Sequence, residues 1–341
     1  MKLKPLSEQT VVITGASSGI GLATALEAAA HGARVVLASR DDGDIEKAAE
    51  RVRGAGAADV LTVAVDVADR LGVDYVVQQT VERFGGFDTW VNNAGTSAYG
   101  ALKDVPEEDA RQIFETNYWG VVHGSLAAAE HFRTRMEPEA GAIINVGSVL
   151  SDRAVPLQGH YSASKHAVRG FTDALRMELE KEGVPAVVTL IKPSAINTPY
   201  PDHAGNYMDA APSLPPPVYE PEVVARAILA CAEKPRREIS VGVGGLMIGA
   251  MGKLLPRATD LYMEATQFDQ QKRDDKPNRQ GPGGLQDPIP DEGAHVHGDA
   301  PSRVRQSSAY TWMQLNPLAT LGAALAVGVG LALAARTGDE E

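Results

Sequence analysis

A run of β-branched residues at positions 10–14, TVVIT, ends in the glycine-rich turn 15–21 and opens directly into an alanine-rich stretch reaching residue 31. A short apolar strand without polar alternation must be covered on both faces, which a chain achieves with a parallel sheet sandwiched between helices. The alternation recurs, with strands expected at 34–39, 60–65, 87–92, 142–146, 186–191 and 239–243. Helices are expected at 20–31, 44–53, 71–84, 106–136, 161–182 and 221–233. The implied architecture is α/β, a doubly wound parallel sheet with helices on both faces over roughly residues 8–250, taking ligands at the carboxyl ends of its strands.

Composition narrows the class. The 341 residues carry a formal charge of −12, and no basic run offers to neutralise phosphates, so a nucleic-acid partner is not expected. A lone cysteine, Cys231, excludes a disulfide framework and a cysteine-rich zinc site and fits a reducing compartment. No apolar run precedes Thr10, which argues against a secretory signal and for a cytoplasmic protein.

The chain divides into a catalytic body at 1–255, a helical extension at 256–270, a flexible linker at 271–308 and an apolar helix at 309–336. The linker is expected from its prolines, glycines and charges, which bury too little surface to offset ordering entropy. His295 and His297 within it form an H-x-H pair, read as solvated rather than metal-binding; no metal is expected. Residues 315–335 carry no charge and, at about 1.5 Å per residue, match the ~30 Å of a bilayer core. A C-terminal membrane anchor is therefore expected, with packing on a partner subunit or loose order as alternatives. Gly322, Ala326 and Gly330 form a small-residue stripe. Arg303, Arg305 and Arg336 flank the span and place the body on the cytoplasmic side.

The turn at 15–21 is built for a phosphate. Gly15 allows the tight bend, Gly19 lets backbone approach a pyrophosphate, and Gly21 permits close helix–strand packing. Ser17, Ser18 and Ile20 complete the turn, and the helix behind it offers unpaired N–H groups. The second strand ends in Ser39 and Arg40, where an acidic residue would instead hold the ribose 2′-OH of NAD. Arg40 can pair with a 2′-phosphate, so NADP(H) is favoured over NAD(H), although Asp41 and Asp42 follow at once. Asp66 and Val67, after the third strand, are placed to meet adenine, a helix cap being the plainer role for Asp66.

Tyr161 and Lys165 stand one turn apart on a helix, a spacing common by chance. Ser148 closes the fifth strand and Asn92-Asn93-Ala94-Gly95 the fourth, with Asn117 in the helix between. The pieces TGASSGIG at 14–21, NNAG at 92–95, Asn117, Ser148, YSASK at 161–165 and PSAINT at 193–198 together resemble the short-chain dehydrogenase/reductase family, in its compact single-domain branch. The resemblance covers about 250 residues. It implies a Rossmann-type sheet, Tyr161 as general acid/base, Ser148 polarising the substrate oxygen, Lys165 on the nicotinamide ribose and Asn117 supporting a proton relay. It also implies cofactor contacts from Asn93, Ala94, Gly95, Pro193, Ile196 and Thr198, and a homo-oligomer. The family's Pro-Gly is here Pro193-Ser194, so the loop beside the nicotinamide is expected to differ slightly.

The expected activity is hydride transfer between NADP(H) and a carbonyl or alcohol. The lysine ammonium favours the Tyr161 phenolate, bringing a group that ordinarily titrates near ~10 toward usefulness at neutral pH. No lysine or arginine lies between Pro193 and Glu220, so an apolar substrate of lipid, steroid, retinoid or xenobiotic type is expected. Tyr200, Tyr207 and Met208, followed by prolines 212–217, read as a lid. Residues 246–255 read as core, with a pocket border or a membrane-surface contact as the alternatives. An epimerase or dehydratase on the same fold, and a non-catalytic NADP(H) sensor, are the alternatives.

Overall fold

The computed structural model describes residues 1–135, 139–289, 294–322 and 325. Its main sheet has seven strands: β1 (Thr10–Thr14), β2 (Arg34–Ser39), β3 (Asp59–Ala64), β4 (Thr89–Asn92), β5 (Gly141–Val146), β6 (Ala186–Pro193) and β7 (Glu238–Val241). They pair in parallel in the order β3-β2-β1-β4-β5-β6-β7. Each expected strand is present, with ends that match or are shifted by one or two residues.

Alternate residues of each strand face opposite layers, so a continuously apolar strand feeds two cores. Val11 and Ile13 pack with Leu22 and Ala25 of α1 (Gly19–Ala30), Ile45 of α2 (Asp42–Gly54) and Ile228 of α8 (Pro221–Glu233). Val12 and Val36 face the other side, with Val76 of α3 (Arg70–Phe84), Phe132 of α5 (Gly120–Thr134) and Leu179 of α6 (Gly159–Glu182). The expected helix at 106–136 is interrupted. α4 (Glu107–Phe114) passes into a π-helical turn, Glu115–Trp119, before α5 resumes.

The segment expected to be a flexible linker is laid against the body. Lys272–Arg273 pairs antiparallel with Ala211–Pro212, and Val304–Arg305 pairs parallel with Val218–Tyr219. Leu285, Ala294 and Val296 are buried. Average composition misjudged it because a few apolar side chains and many backbone hydrogen bonds are enough to dock an otherwise polar strip. His297 lies by carboxylates, its Nε2 being 2.9 Å from Glu222 and 3.6 Å from Glu220.

The extension at 256–270 is helical, α10 (Pro256–Gln270), preceded by α9 (Gly244–Leu254) and the short α7 (Tyr200–His203). Of the apolar stretch at 246–255 read as core, Leu254 and Leu255 are exposed, so its carboxyl end is not core. α11 (Ala309–Leu315) docks on the sheet edge, where Gln314 accepts from Ser240 N at 3.0 Å and donates to Ser240 O at 2.7 Å. That side chain pairs the open edge as a further strand would. α11 stops at Leu315, so the expected span is not one continuous helix from its start. Among the described residues no helix is long and apolar enough to cross a membrane. Most of the expected span, Ala326 and Gly330 included, lies outside the described residues.

Ile144 is fully buried on the interior strand β5. Ile144→Ala removes that packing and is expected to lower unfolding free energy by about 2–5 kcal/mol, read by equilibrium denaturation.

Candidate active site

The glycine turn is tied to the neighbouring strand before any ligand arrives. Asn93 Nδ2 donates to the carbonyls of Thr14 (2.9 Å) and Gly15 (3.1 Å), and Thr14 Oγ1 accepts from the N–H groups of Asn93 and Ala94. A Cβ at Gly21 would overlap the Gly15 carbonyl, so glycine there lets the helix close onto the turn. Ser18 is the N-cap of α1 and makes no side-chain capping bond. The Ile20 N–H has no acceptor among the described residues, and Ile20 lines a cavity of about 390 Å³. The first N–H of the helix, that of Gly19, is donated to the His295 carbonyl at 2.9 Å, and the free Ile20 N–H beside it on the cavity fits the pyrophosphate of a dinucleotide.

The cavity runs along the carboxyl ends of the strands. Every catalytic and cofactor residue expected from the sequence lines it, except Gly21 and Asn117. Gly21 sits behind the turn. Asn117 occupies the π-helical turn, where its Oδ1 accepts from Thr96 N at 2.8 Å and its Nδ2 donates to Thr96 O and Ser164 Oγ. Its amide therefore ties the loop after β4 to α6, and a π turn is a common way to re-aim one side chain at a site.

At the inner end, Tyr161 and Lys165 project from the first turns of α6. Lys165 Nζ donates to the Val146 carbonyl at 2.9 Å and stands 5.6 Å from the Tyr161 ring centre. Ser148 begins a one-turn helix, its Oγ accepting from Leu150 N at 3.1 Å and its N–H donating to Ser151 Oγ at 3.2 Å. Burial raises the Tyr161 phenol above its ordinary value, against the hydroxyls of Ser148 and Tyr200, which favour the phenolate. Burial also lowers Lys165 from 10.5 to about 8. Desolvation thus outweighs the expected depression of the phenol.

At the outer end, Ser39 and Arg40 close β2. Asp41, which could have faced a ribose, instead caps α2, its carboxylate accepting from Asp44 N at 2.8 Å. Asp66 uses Oδ1 to accept from Ala68 N at 2.9 Å while still lining the cavity.

A profile of the short chain dehydrogenase family matches residues 9–206. The chain belongs to the short-chain dehydrogenase/reductase family. The uncharacterized oxidoreductase YxnA of Bacillus subtilis is 41% identical over 330 residues, covering 96% of this chain and 91% of its own. An 11-beta-hydroxysteroid dehydrogenase A of Sesamum indicum is 38% identical over 191 residues, 56% of this chain and 53% of that protein. A short-chain dehydrogenase/reductase of Burkholderia phymatum, solved in complex with NAD, superposes with a TM-score of 0.63 at 26% identity, over 82% of this chain and 99% of that one. The protein is an oxidoreductase of this family acting on CH-OH/C=O groups, with a fold that binds a nicotinamide cofactor.

Some walls of this dehydrogenase's cavity, Tyr99, Arg153, Tyr262 and Gln270 among them, were not legible in the sequence, whereas Tyr200 and Pro215–Pro217 belong to the segment expected to be a lid. Tyr99 is fully buried, and its hydroxyl has no hydrogen-bond partner among the described residues. Nothing in its local pattern marks it. Tyr200 stacks edge-on against Tyr161 with ring centres 5.8 Å apart. Ile248 of α9, Tyr262 and Gln270 of α10, and Pro215–Pro217 complete the far side. Arg153 also lines the cavity, ion-paired with Asp260. Ser194, in place of the family's glycine, keeps an ordinary backbone, donating from its N–H to Val241 O at 2.9 Å. Its hydroxyl fits against Gly242, where any Cβ would overlap it.

Lys165 binds fewer protons folded than unfolded between pH 8 and 10.5, so its burial penalty fades as pH rises through that window. Relative to Lys165→Met, wild-type stability is expected to climb by up to about 3 kcal/mol from pH 8 to pH 10.5, read by denaturation at each pH.

Proposed function

We propose that the protein is an NADP(H)-preferring carbonyl reductase or alcohol dehydrogenase acting on an apolar substrate. The observation that carries the reading is one cavity with Ser148, Tyr161 and Lys165 at its inner end and Arg40 at its outer end. A bound nicotinamide supplies hydride transfer. Tyr161 passes its proton to the substrate oxygen during reduction and takes it back during oxidation. Ser148 donates to the same oxygen as negative charge develops. Lys165, held by Val146 O beside the ring, favours the phenolate when protonated and reaches the nicotinamide ribose.

The cofactor preference is supported by the tip of β2. Ser39 carries no charge, Arg40 lines the cavity, and the Asp41 carboxylate is engaged in capping α2. Thr198, Ile196 and Pro193, proposed for the carboxamide end, and Asp66 and Val67, proposed for the adenine, line the same cavity. The substrate class is supported by Leu214, Pro215–Pro217, Ile248 and Tyr262 in the wall, and by the pairing of Arg153 with Asp260. The name of the sesame relative, a hydroxysteroid dehydrogenase, points the same way.

Tyr161→Phe is expected to reduce NADPH-linked turnover of a panel of apolar carbonyls by at least about 100-fold, while NADPH binding measured by fluorescence persists. Turnover that survives the change overturns the mechanism. Wild-type protein is expected to use NADPH at lower KM than NADH. Arg40→Ala is expected to raise the NADPH KM about tenfold, roughly one lost charge-assisted contact, and to spare the NADH KM.

A further inference from the structure

The reading of Arg40 as the residue that meets a 2′-phosphate leaves open what holds so long a side chain in place. A guanidinium on a flexible stem at a strand tip pays conformational entropy for every fixed geometry. Here the strip expected to be a linker supplies the fixation. Gly281 exchanges backbone bonds with Asn206 at 2.8 and 2.9 Å. Leu285 is fully buried in a cluster with Ala98, Val105 and Ile113, and Gln286 Nε2 donates to Asp109 Oδ1 at 3.0 Å. These anchors present three successive carbonyls to Arg40. Nη2 donates to Gly284 O at 2.6 Å, and Nη1 donates to Leu285 O at 3.2 Å and Gln286 O at 3.4 Å.

The pattern of these bonds matters. They use Nη1 and one N–H of Nη2. The Nε–H has no acceptor among the described residues, and Nη2, with one acceptor for its two N–H groups, keeps a donor to spare. Spare N–H donors on a fixed guanidinium are what a phosphate engages. The carbonyls are neutral, so the full positive charge remains for an anion. Farther along, the strip stays on the cavity rim, with His295 O accepting from Gly19 N at 2.9 Å and Gly298 N donating to Asn197 O at 3.1 Å.

We propose that the strap residues Gly284, Leu285 and Gln286 are positioning residues for Arg40, so that discrimination between NADP(H) and NAD(H) depends on the C-terminal strap as well as on the β2 tip. The proposal rests on Arg40 meeting the 2′-phosphate and adds a second determinant distant in sequence. The alignment with the Bacillus relative spans 96% of this chain and so runs through the strap.

Gly283 provides the lever. It sits at φ +57°, and a Cβ there would overlap the Ala204 carbonyl. Gly283→Val therefore lifts the strap by pressing it off the backbone of His203 and Ala204, without changing Arg40 itself. Steady-state kinetics with both cofactors are expected to show an NADPH KM raised about tenfold, toward that of Arg40→Ala, with the NADH KM unchanged. Leu285→Asp, which unseats the anchor, is expected to do the same, and Leu285→Met to retain wild-type values. Adding Arg40→Ala to Gly283→Val should cost nothing further, because the two act on one contact.

Three outcomes overturn the proposal. The NADPH KM stays put in Gly283→Val and Leu285→Asp alike; it falls, meaning the strap competes with the phosphate; or both cofactors suffer equally, meaning the strap only supports the fold. Failure of the underlying cofactor reading is distinguishable, because it shows in the wild-type NADPH to NADH ratio before any variant is made.

Discussion

The position of β1 between β2 and β4 governs everything else in the molecule. The chain leaves β1 toward β2 and β3 on one side and returns to build β4 to β7 on the other. Loops at the carboxyl ends therefore diverge, and a crevice opens above β1. Left alone, two diverging loops would sample many separations. The amide of Asn93 closes the gap by bonding to the carbonyls of Thr14 and Gly15, while Thr14 Oγ1 receives two N–H groups from the other bank. The crevice is thus a pre-formed object whose width is set by a handful of short hydrogen bonds. Preorganisation of this kind spares the ligand the cost of ordering its own site.

The chemistry at the inner end follows from burial. Taking a phenol and an ammonium out of water together raises the first and lowers the second, so two groups of nearly equal proton affinity in water are driven apart and each is pushed toward its neutral form. The phenol therefore holds its proton firmly, as suits a group that must deliver it to a substrate oxygen on which charge develops. Ser148 is held by a one-turn helix and Lys165 by the end of β5, so the geometry around Tyr161 is enforced by backbone rather than by other mobile side chains.

Strand positions were legible because a doubly covered strand has no choice but to be apolar throughout, and the glycine turn because backbone curvature leaves few alternatives. The lining roles of Ser148, Tyr161 and Arg40 followed from their places at strand ends and on a first helical turn. Asn117 was legible as a polar residue within a helix, but the π turn that aims it is not, since one extra residue per turn leaves no periodic trace. Tyr99 escaped notice because an aromatic in a short loop is ordinarily packing. The strap was misread for a different reason. Its docking relies on carbonyls, which every residue carries, and on a few apolar contacts such as Leu285 that an averaged composition erases.

The fit of Ser194 against Gly242 uses a gap that the backbone already keeps open. Gly242 sits at φ +92°, a conformation that favours glycine, and a Cβ there would overlap the Tyr219 ring as well as the Ser194 hydroxyl. The hydroxymethyl group of Ser194 therefore fills space that no side chain at 242 could occupy, and a serine in place of the family's glycine asks for no compensating change on the strand exit.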